Sequence, residues 1–217
     1  DAGETFGRLD VLVNNAGVLR DRMFVNATVE EWDTVMRVHL RGHFCPTKHA
    51  VTYWRGLSKT GQTVDARIIN TSSQSGLHGS VGQVGYAAAK AGIAAMTLVE
   101  AAELARYGVT ANAIAPIART RMTEGVYGDL VRAPETGFDV FSAENISPLV
   151  VWLGSAESGH VTGRVFEVYG GHISVADGWS GGPHVDKAAQ WSPAEVGSAM
   201  TEILGRAAEP HLVHGAE

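Results

Sequence analysis

The sequence predicts an α/β fold in which helices cover a parallel sheet, and three observations carry that reading. Short runs that are apolar without alternation recur at Leu9–Val13, Ala66–Asn70, Val109–Ala115 and Val165–Val168, as strands buried on both faces require. Longer segments with helical start and stop signals lie between them. Strand alternating with helix at this spacing favours parallel neighbours, because each crossover lays a helix on the sheet.

Each element has a local reason. Leu9–Val13 ends in the polar turn Asn14-Asn15-Ala16-Gly17, so it reads as a strand and the turn leaving it. Thr28-Val29-Glu30-Glu31 is a capping box, in which Thr28 and Glu31 satisfy each other's free amides. It opens a helical stretch through Trp32, Met36, Leu40 and Phe44 that ends near Gly56. A loop over residues 61–65 precedes the strand Ala66–Asn70, which runs into a Ser/Gly-rich loop from Thr71 to Gly85. Tyr86 to Tyr107 is Ala-rich and free of Pro, which predicts a helix stopped at Gly108. The strand Val109–Ala115 ends at Pro116. Residues 119–142 show no sustained period, so a mobile loop with short helices is expected. Ser147-Pro148 starts a helix through Leu149, Val150 and Leu153, and the strand Val165–Val168 is closed by Gly170-Gly171. Residues 1–176 therefore read as one α/β domain. Residues 177–217 read as its extension: a Gly/Pro-rich linker over 177–186, then a helix. Ser192-Pro193-Ala194-Glu195 is the cap of that helix, and Val196, Met200, Ile203 and Leu204 are its single apolar face.

Composition narrows the function classes. The 217 residues are 45% hydrophobic and 18% charged, as in soluble globular proteins. A net charge of −6 argues against a nucleic-acid partner, which needs clustered Lys and Arg. No run approaches the ~18 apolar residues of a membrane span, and Asp1-Ala2-Gly3-Glu4 lacks the layout of a signal peptide. The lone Cys45 forms no internal disulfide, so a cytoplasmic location is expected.

Ser73, Tyr86 and Lys90 carry the chemistry. Tyr86 and Lys90 lie four apart at the start of a helix and share one face. A phenol with a pKa near ~10 is a poor base at neutral pH, and an ammonium one turn away favours its phenolate. Ser73 precedes Tyr86 by 13 residues and follows the carboxyl end of a strand, where ligands bind in open α/β sheets. A hydroxyl there could hold a substrate carbonyl. Alone, Tyr-x-x-x-Lys is also ordinary helix decoration; agreement with other segments is what raises it.

Asn14-Asn15-Ala16-Gly17, Ser73, Tyr86-Ala87-Ala88-Ala89-Lys90, Asn112-Ala113-Ile114-Ala115-Pro116 and Thr162-Gly163 through Tyr169-Gly170-Gly171 follow in order. Together they resemble the successive motifs of the short-chain dehydrogenases/reductases over roughly residues 5–172. The resemblance implies a Rossmann-like doubly wound parallel sheet lacking its first βαβαβ part, and an oxidoreductase using NAD or NADP. It implies Tyr86 as general acid/base, Lys90 as its electrostatic tuner and ribose ligand, and Ser73 as substrate orienter. Asn14, Asn15, Ala16 and Gly17 would line the adenine-ribose side, and Pro116, Ile117 and Ala118 would pass the nicotinamide carboxamide. Two positions depart from the family pattern. His39 stands where an Asn usually steadies a relay water, and Ile117 where Gly usually follows the Pro. The Arg37-Val38-His39-Leu40-Arg41-Gly42 context is similar to the dehydrogenase unit of peroxisomal multifunctional enzyme type 2 and its bacterial 3-oxoacyl-acyl-carrier-protein reductase-like relatives. His39 is accordingly a fourth candidate catalytic residue.

The resemblance also carries expectations about extent and partners. No Gly-rich phosphate turn precedes Leu9, and no initiator Met is present, so the chain is expected to begin inside a gene. Three strands would be absent, Leu9–Val13 would be an open sheet edge, and the chain alone would bind dinucleotide weakly. His39 and His43 have the spacing of some zinc sites, but Leu40 replaces a metalloprotease Glu and no third ligand is apparent, so no metal is expected. The Ala-rich face of the Tyr86 helix and the apolar tail helix point to a homo-oligomer. The expected reaction interconverts a secondary alcohol and a ketone in a small-molecule substrate, a 3-hydroxyacyl/3-oxoacyl thioester or, second, a steroid. The alternative is a non-catalytic remnant acting through subunit association. An extended epimerase or dehydratase is disfavoured by the turn at Asn14–Gly17.

Overall fold

The computed structural model describes residues 2–123, 128–210 and 212–216. Its sheet has five strands in the order β1 (Val11–Asn14), β2 (Ala66–Thr71), β3 (Val109–Pro116), β4 (Val165–Tyr169) and β5 (His172–Ala176). The first four pair in parallel, as the buried apolar runs predict. β5 was not expected. It turns back at Gly170-Gly171 and pairs antiparallel with β4. Its Ile173 and Val175 are 57% and 49% exposed, so the short alternation His172-Ile173-Ser174-Val175 turns its apolar side outward rather than into the core. Among the described residues β1 forms the other edge.

Around the sheet lie α1 (Ala2–Phe6), α2 (Val29–Met36), α3 (Gly42–Lys59), α4 (Gln74–His78), α5 (Val84–Leu104) and α6 (Ser147–Gly154). The capping box at Thr28 forms with both of its hydrogen bonds. The helical stretch it opens is interrupted by a π-helical turn, Arg37–Arg41. Pro46, inside α3, has no amide to give the Gly42 carbonyl, and a wider turn just upstream accommodates the lost bond. α4 is a second departure, since the Ser/Gly-rich segment holds a helix capped by Ser73. α5 ends in a 3₁₀ turn at Gly108, which adopts the left-handed conformation at φ 76°.

Two apolar layers hold the sheet. Ala50, Trp54, Ile68, Ala101 and Leu104 pack α3 and α5 on one face. Ile69, Ile114, Leu149, Leu153 and Phe166 pack α6 on the other. Each large side chain buried this way contributes about 1.5–3 kcal/mol. The Trp54 Nε1–H also donates to the Leu9 carbonyl at 2.6 Å, tying α3 to the lead-in of β1.

The chain divides into two units, Asp1–Ala176 with Val213–Glu217, and Asp177–Leu212. The second unit holds α7 (Pro193–Leu204), opened by the capping box at Ser192 and Glu195. Lys187 pairs with Glu195 at 2.7 Å and lies over the Trp191 ring. In the first unit, the Val81 N–H donates to the His214 carbonyl at 2.8 Å, so the C-terminal residues edge the loop after α4. No helix among the described residues is long and apolar enough to cross a membrane.

Candidate active site

The carboxyl ends of β2 and β3, with the turn after β1, wall a cavity of about 400 Å³. Such a place follows from topology, because loops leaving parallel strands diverge there. Tyr86 and Lys90, one turn apart on α5, both line it. The Lys90 Nζ sits 5.5 Å from the centroid of the Tyr86 ring and donates to the Thr71 carbonyl at 2.6 Å. Lys90 is 3% exposed, and burial pushes its ammonium down to about 8.

Ser73 stands at the cap of α4. Its hydroxyl oxygen accepts from the Ser75 N–H at 3.2 Å, and Ser73 itself is not among the residues that line the cavity. The neighbouring Ser72 lines the cavity and donates to the Lys90 carbonyl at 2.9 Å. That bond and Gly76 seat α4 against α5. A Cβ on Gly76 would lie 2.6 Å from the Lys90 backbone.

His39 reaches the cavity from the π-helical turn. Its ring meets Tyr86 edge to face with centroids 5.2 Å apart. Its Nε2 lies 2.7 Å from the Val18 carbonyl and 3.0 Å from the Val18 amide. The carbonyl contact calls for an Nε2–H and the amide contact for a bare Nε2, while Nδ1 is buried without a partner among the described residues. Burial lowers the imidazole below its ordinary pKa, the Val18 backbone opposes this, and the Lys90 cation adds to the lowering.

The turn after β1 is split in its roles. Asn15 and Gly17 line the cavity, and the Asn15 Oδ1 accepts from the Thr71 hydroxyl at 3.1 Å. Ala16 is exposed on the turn. Asn14 faces the other way, 5% exposed, and donates to Thr47 and to Asn70, both at 2.9 Å. The structure thus places Asn14 as a tie between β1, β2 and α3, away from the cavity lining. Pro116 and Ala118 line the cavity at the end of β3. Ile117, between them, gives its N–H to the Val168 carbonyl at 3.0 Å and extends the pairing with β4.

Six lining residues escaped the sequence reading: Thr71, Ser72, Thr120, Arg121, Met122 and Thr123. Thr120 Oγ1 accepts from the Met122 and Thr123 amides, while Thr123 Oγ1 accepts from the Thr120 amide and donates to the Ala118 carbonyl. This is a helix-start pattern with Thr in place of the usual Glu or Gln, which is the signal that could have found it. The segment that follows is anchored by Arg119, which pairs with Asp139 and donates to the Val131 carbonyl. Residues 124–127 of the expected mobile loop lie outside the described residues. His43, the other half of the H-x-x-x-H pair, is fully buried with both ring nitrogens on backbone groups of His39 and Thr71.

A family model described as short chain dehydrogenase matches residues 1–129. The chain is 44% identical over 205 residues to hydroxyacyl-CoA dehydrogenase ChsB1 of Mycobacterium tuberculosis, covering 91% of this chain and 63% of that protein. It is also 44% identical over 170 residues to peroxisomal multifunctional enzyme type 2 of Mus musculus, covering 78% of this chain and 21% of that one. A crystal structure of a short chain dehydrogenase from Mycobacterium avium superposes with a TM-score of 0.89 at 61% identity, covering 99% of this chain and 71% of that chain.

Proposed function

Because the chain belongs to the short-chain dehydrogenase family, we propose that it serves the interconversion of a secondary alcohol and a ketone with a nicotinamide dinucleotide, Tyr86 being the general acid/base. The observation that carries this reading is the buried Lys90 ammonium beside the Tyr86 ring on a cavity wall. A desolvated cation at that distance stabilises a phenolate more strongly than the same pair would in water.

The residues present suit the nicotinamide-ribose half of such a cofactor. Gly17 leaves a backbone surface that a side chain would fill, since a Cβ there would collide with His39. His39 Nδ1 offers a buried nitrogen that has no partner among the described residues. Asn15, Gly17 and Lys90 would hold the ribose side, and Pro116, Ala118 and Thr120 the nicotinamide side. When bound, the dinucleotide supplies the hydride acceptor or donor, as NAD or NADP.

The protein's own part is proton handling and orientation. In the oxidative direction Ser73 donates its hydroxyl proton to the substrate oxygen and fixes it near Tyr86. The Tyr86 phenolate then takes the alcohol proton, and Lys90 holds the negative form ready. In the reductive direction the same phenol returns the proton to the developing alkoxide. The names of the relatives favour a 3-hydroxyacyl/3-oxoacyl thioester as substrate, with a steroid alcohol second, and the cavity's Arg121 suits a ligand with an anionic tail.

The test is the protein bearing this chain, assayed with a 3-hydroxyacyl-CoA and either dinucleotide by absorbance of the reduced nicotinamide. Tyr86→Phe is expected to lower turnover by roughly 10²–10⁴-fold, the range of general acid/base contributions, with cofactor binding kept. Turnover retained in that variant would overturn the assignment of Tyr86. A wild-type protein that turns over neither thioester nor steroid alcohol would favour the non-catalytic reading.

A further inference from the structure

β1 pairs with β2 only as far as Asn14 and Asn70. Thr71, the next residue of β2, still pairs with β3 on its other flank, and its C=O on the β1 side lies beyond the last β1–β2 pair. A buried carbonyl in this position must be satisfied by a side chain. It takes Lys90 Nζ at 2.6 Å. The N–H, which the Asn14–Asn70 pairing turns toward the Asn14 carbonyl, also lies 3.4 Å from His43 Nε2. His43 in turn gives its Nδ1–H to the His39 carbonyl at 2.8 Å, the carbonyl of the π-helical turn.

From this geometry we propose that His43 is a positioning residue for the Tyr86–Lys90 couple: it clamps the Thr71 peptide, whose carbonyl holds the Lys90 ammonium, to the turn that carries His39. The proposal rests on the reading of Tyr86 and Lys90 given above. Only a neutral Nδ1–H imidazole meets both requirements, donating through one nitrogen and accepting through the other. Burial supports that form. His43 is 0% exposed, and desolvation, followed by the Lys90 charge, pushes it down to about 4. The titratable groups around Lys90 are Tyr86 on its own helix and His39 and His43 on the opposing rod. Glu100 stands on α5 nearly three turns further on, bonded to Asn70 rather than Thr71. With His43 neutral, no second cation competes with Lys90 for the Thr71 carbonyl.

If the clamp holds, its loss loosens the Thr71 peptide and with it the Lys90 ammonium, and the Tyr86 phenolate becomes harder to form. In the active protein His43→Leu keeps side-chain volume but removes both hydrogen bonds. Its pH profile for alcohol oxidation is expected to move up by about one unit, which lowers kcat below that pH by about tenfold, with KM within about twofold. His43→Gln, whose amide oxygen reaches the Thr71 N–H, is expected to restore most of the profile. A His43→Leu profile that superimposes on the wild type would overturn the proposal. ¹⁵N-histidine NMR of the wild-type protein gives a readout independent of turnover and of the fate of either variant. A neutral Nδ1–H tautomer for His43 at pH 7 is expected, and an Nε2–H tautomer or a protonated ring would overturn the clamp. An inactive wild type with the expected tautomer would sink the catalytic reading and leave the clamp standing.

Discussion

The imidazole of His39 lies directly against the backbone of Gly17: a Cβ added to Gly17 would stand 2.6 Å from the His39 Cε1. Both residues are walls of the same cavity, so the absence of a side chain at Gly17 is what lets the ring reach Tyr86. Gly17→Ala is expected to push the ring out of contact with Tyr86. Overpacking of this kind costs about 1–3 kcal/mol, measurable by urea denaturation. Turnover should fall at least tenfold; a variant as stable and as active as wild type would show that the ring moves without consequence.

Gly76 plays the same part between helices. A Cβ there would meet the Ala91 amide and the Lys90 backbone at 2.6 Å, and backbone cannot step aside as a flexible side chain can. Gly76→Ala is expected to displace α4 and the Ser73 cap with it. A loss of more than about 2 kcal/mol in stability is expected, together with reduced turnover. Thermal unfolding of the purified variant checks the first, and an unchanged midpoint would contradict it.

Glu100 creates a pH dependence of stability. It is 9% exposed, and its carboxyl accepts from Asn70 at 2.8 Å. Burial raises it to about 7, partly opposed by the Asn70 hydrogen bond. The native state then keeps a proton that the unfolded state releases, so this contribution to stability falls as pH rises from about 4.5 to about 7 and is constant above. Glu100→Gln removes the titration while keeping an acceptor for Asn70. It is expected to be more stable than wild type at pH 8 by up to roughly 3 kcal/mol, with the gain vanishing near pH 4.5. Equal pH dependence of the two proteins in denaturant titrations would count against it.

His43 acts in the opposite direction on the acid side. Its native pKa, pushed down to about 4, lies below the ordinary histidine value of 6.5. Below that ordinary value the unfolded state binds a proton that the native state refuses. Stability from this group is therefore full above pH 6.5 and lost as pH falls toward 4. Comparing wild type with His43→Leu between those limits isolates the slope from the constant cost of the lost hydrogen bonds. The wild type is expected to lose roughly 3 kcal/mol more than the variant over that interval. Parallel curves would mean that the ring is protonated in the folded protein.

Most elements were legible because their causes are local. The apolar runs of β2 and β3, the capping boxes at Thr28 and Ser192, and the stop at Gly108 each need only a few neighbouring residues. The pairing of Tyr86 with Lys90 needs only one helical turn, and the structure seats both on one cavity wall. The structure brings His39 to the same wall and sets Ser73 at the cap of α4, next in sequence to the lining residue Ser72 but outside the lining. β5, α4 and the π-helical turn were not legible. β5 exposes its apolar residues, α4 is written in Ser and Gly, and the turn answers to a Pro downstream of it.

The sequence by itself determined the α/β layering and the family, and it singled out Ser73, Tyr86 and Lys90 as candidates, because period, caps and motif spacing all act within a few residues. Only the tertiary structure decided that Asn14 turns inward to Asn70, 56 positions away, and that Glu100 meets Asn70 from 30 positions away. It alone decided that His43 faces Thr71, 28 positions away, and that Thr120–Thr123 close the cavity wall. The physical reason is common to all of these. Where β1 and β2 part company, buried backbone and amide groups must find partners, and which side chains supply them depends on how the helices pack.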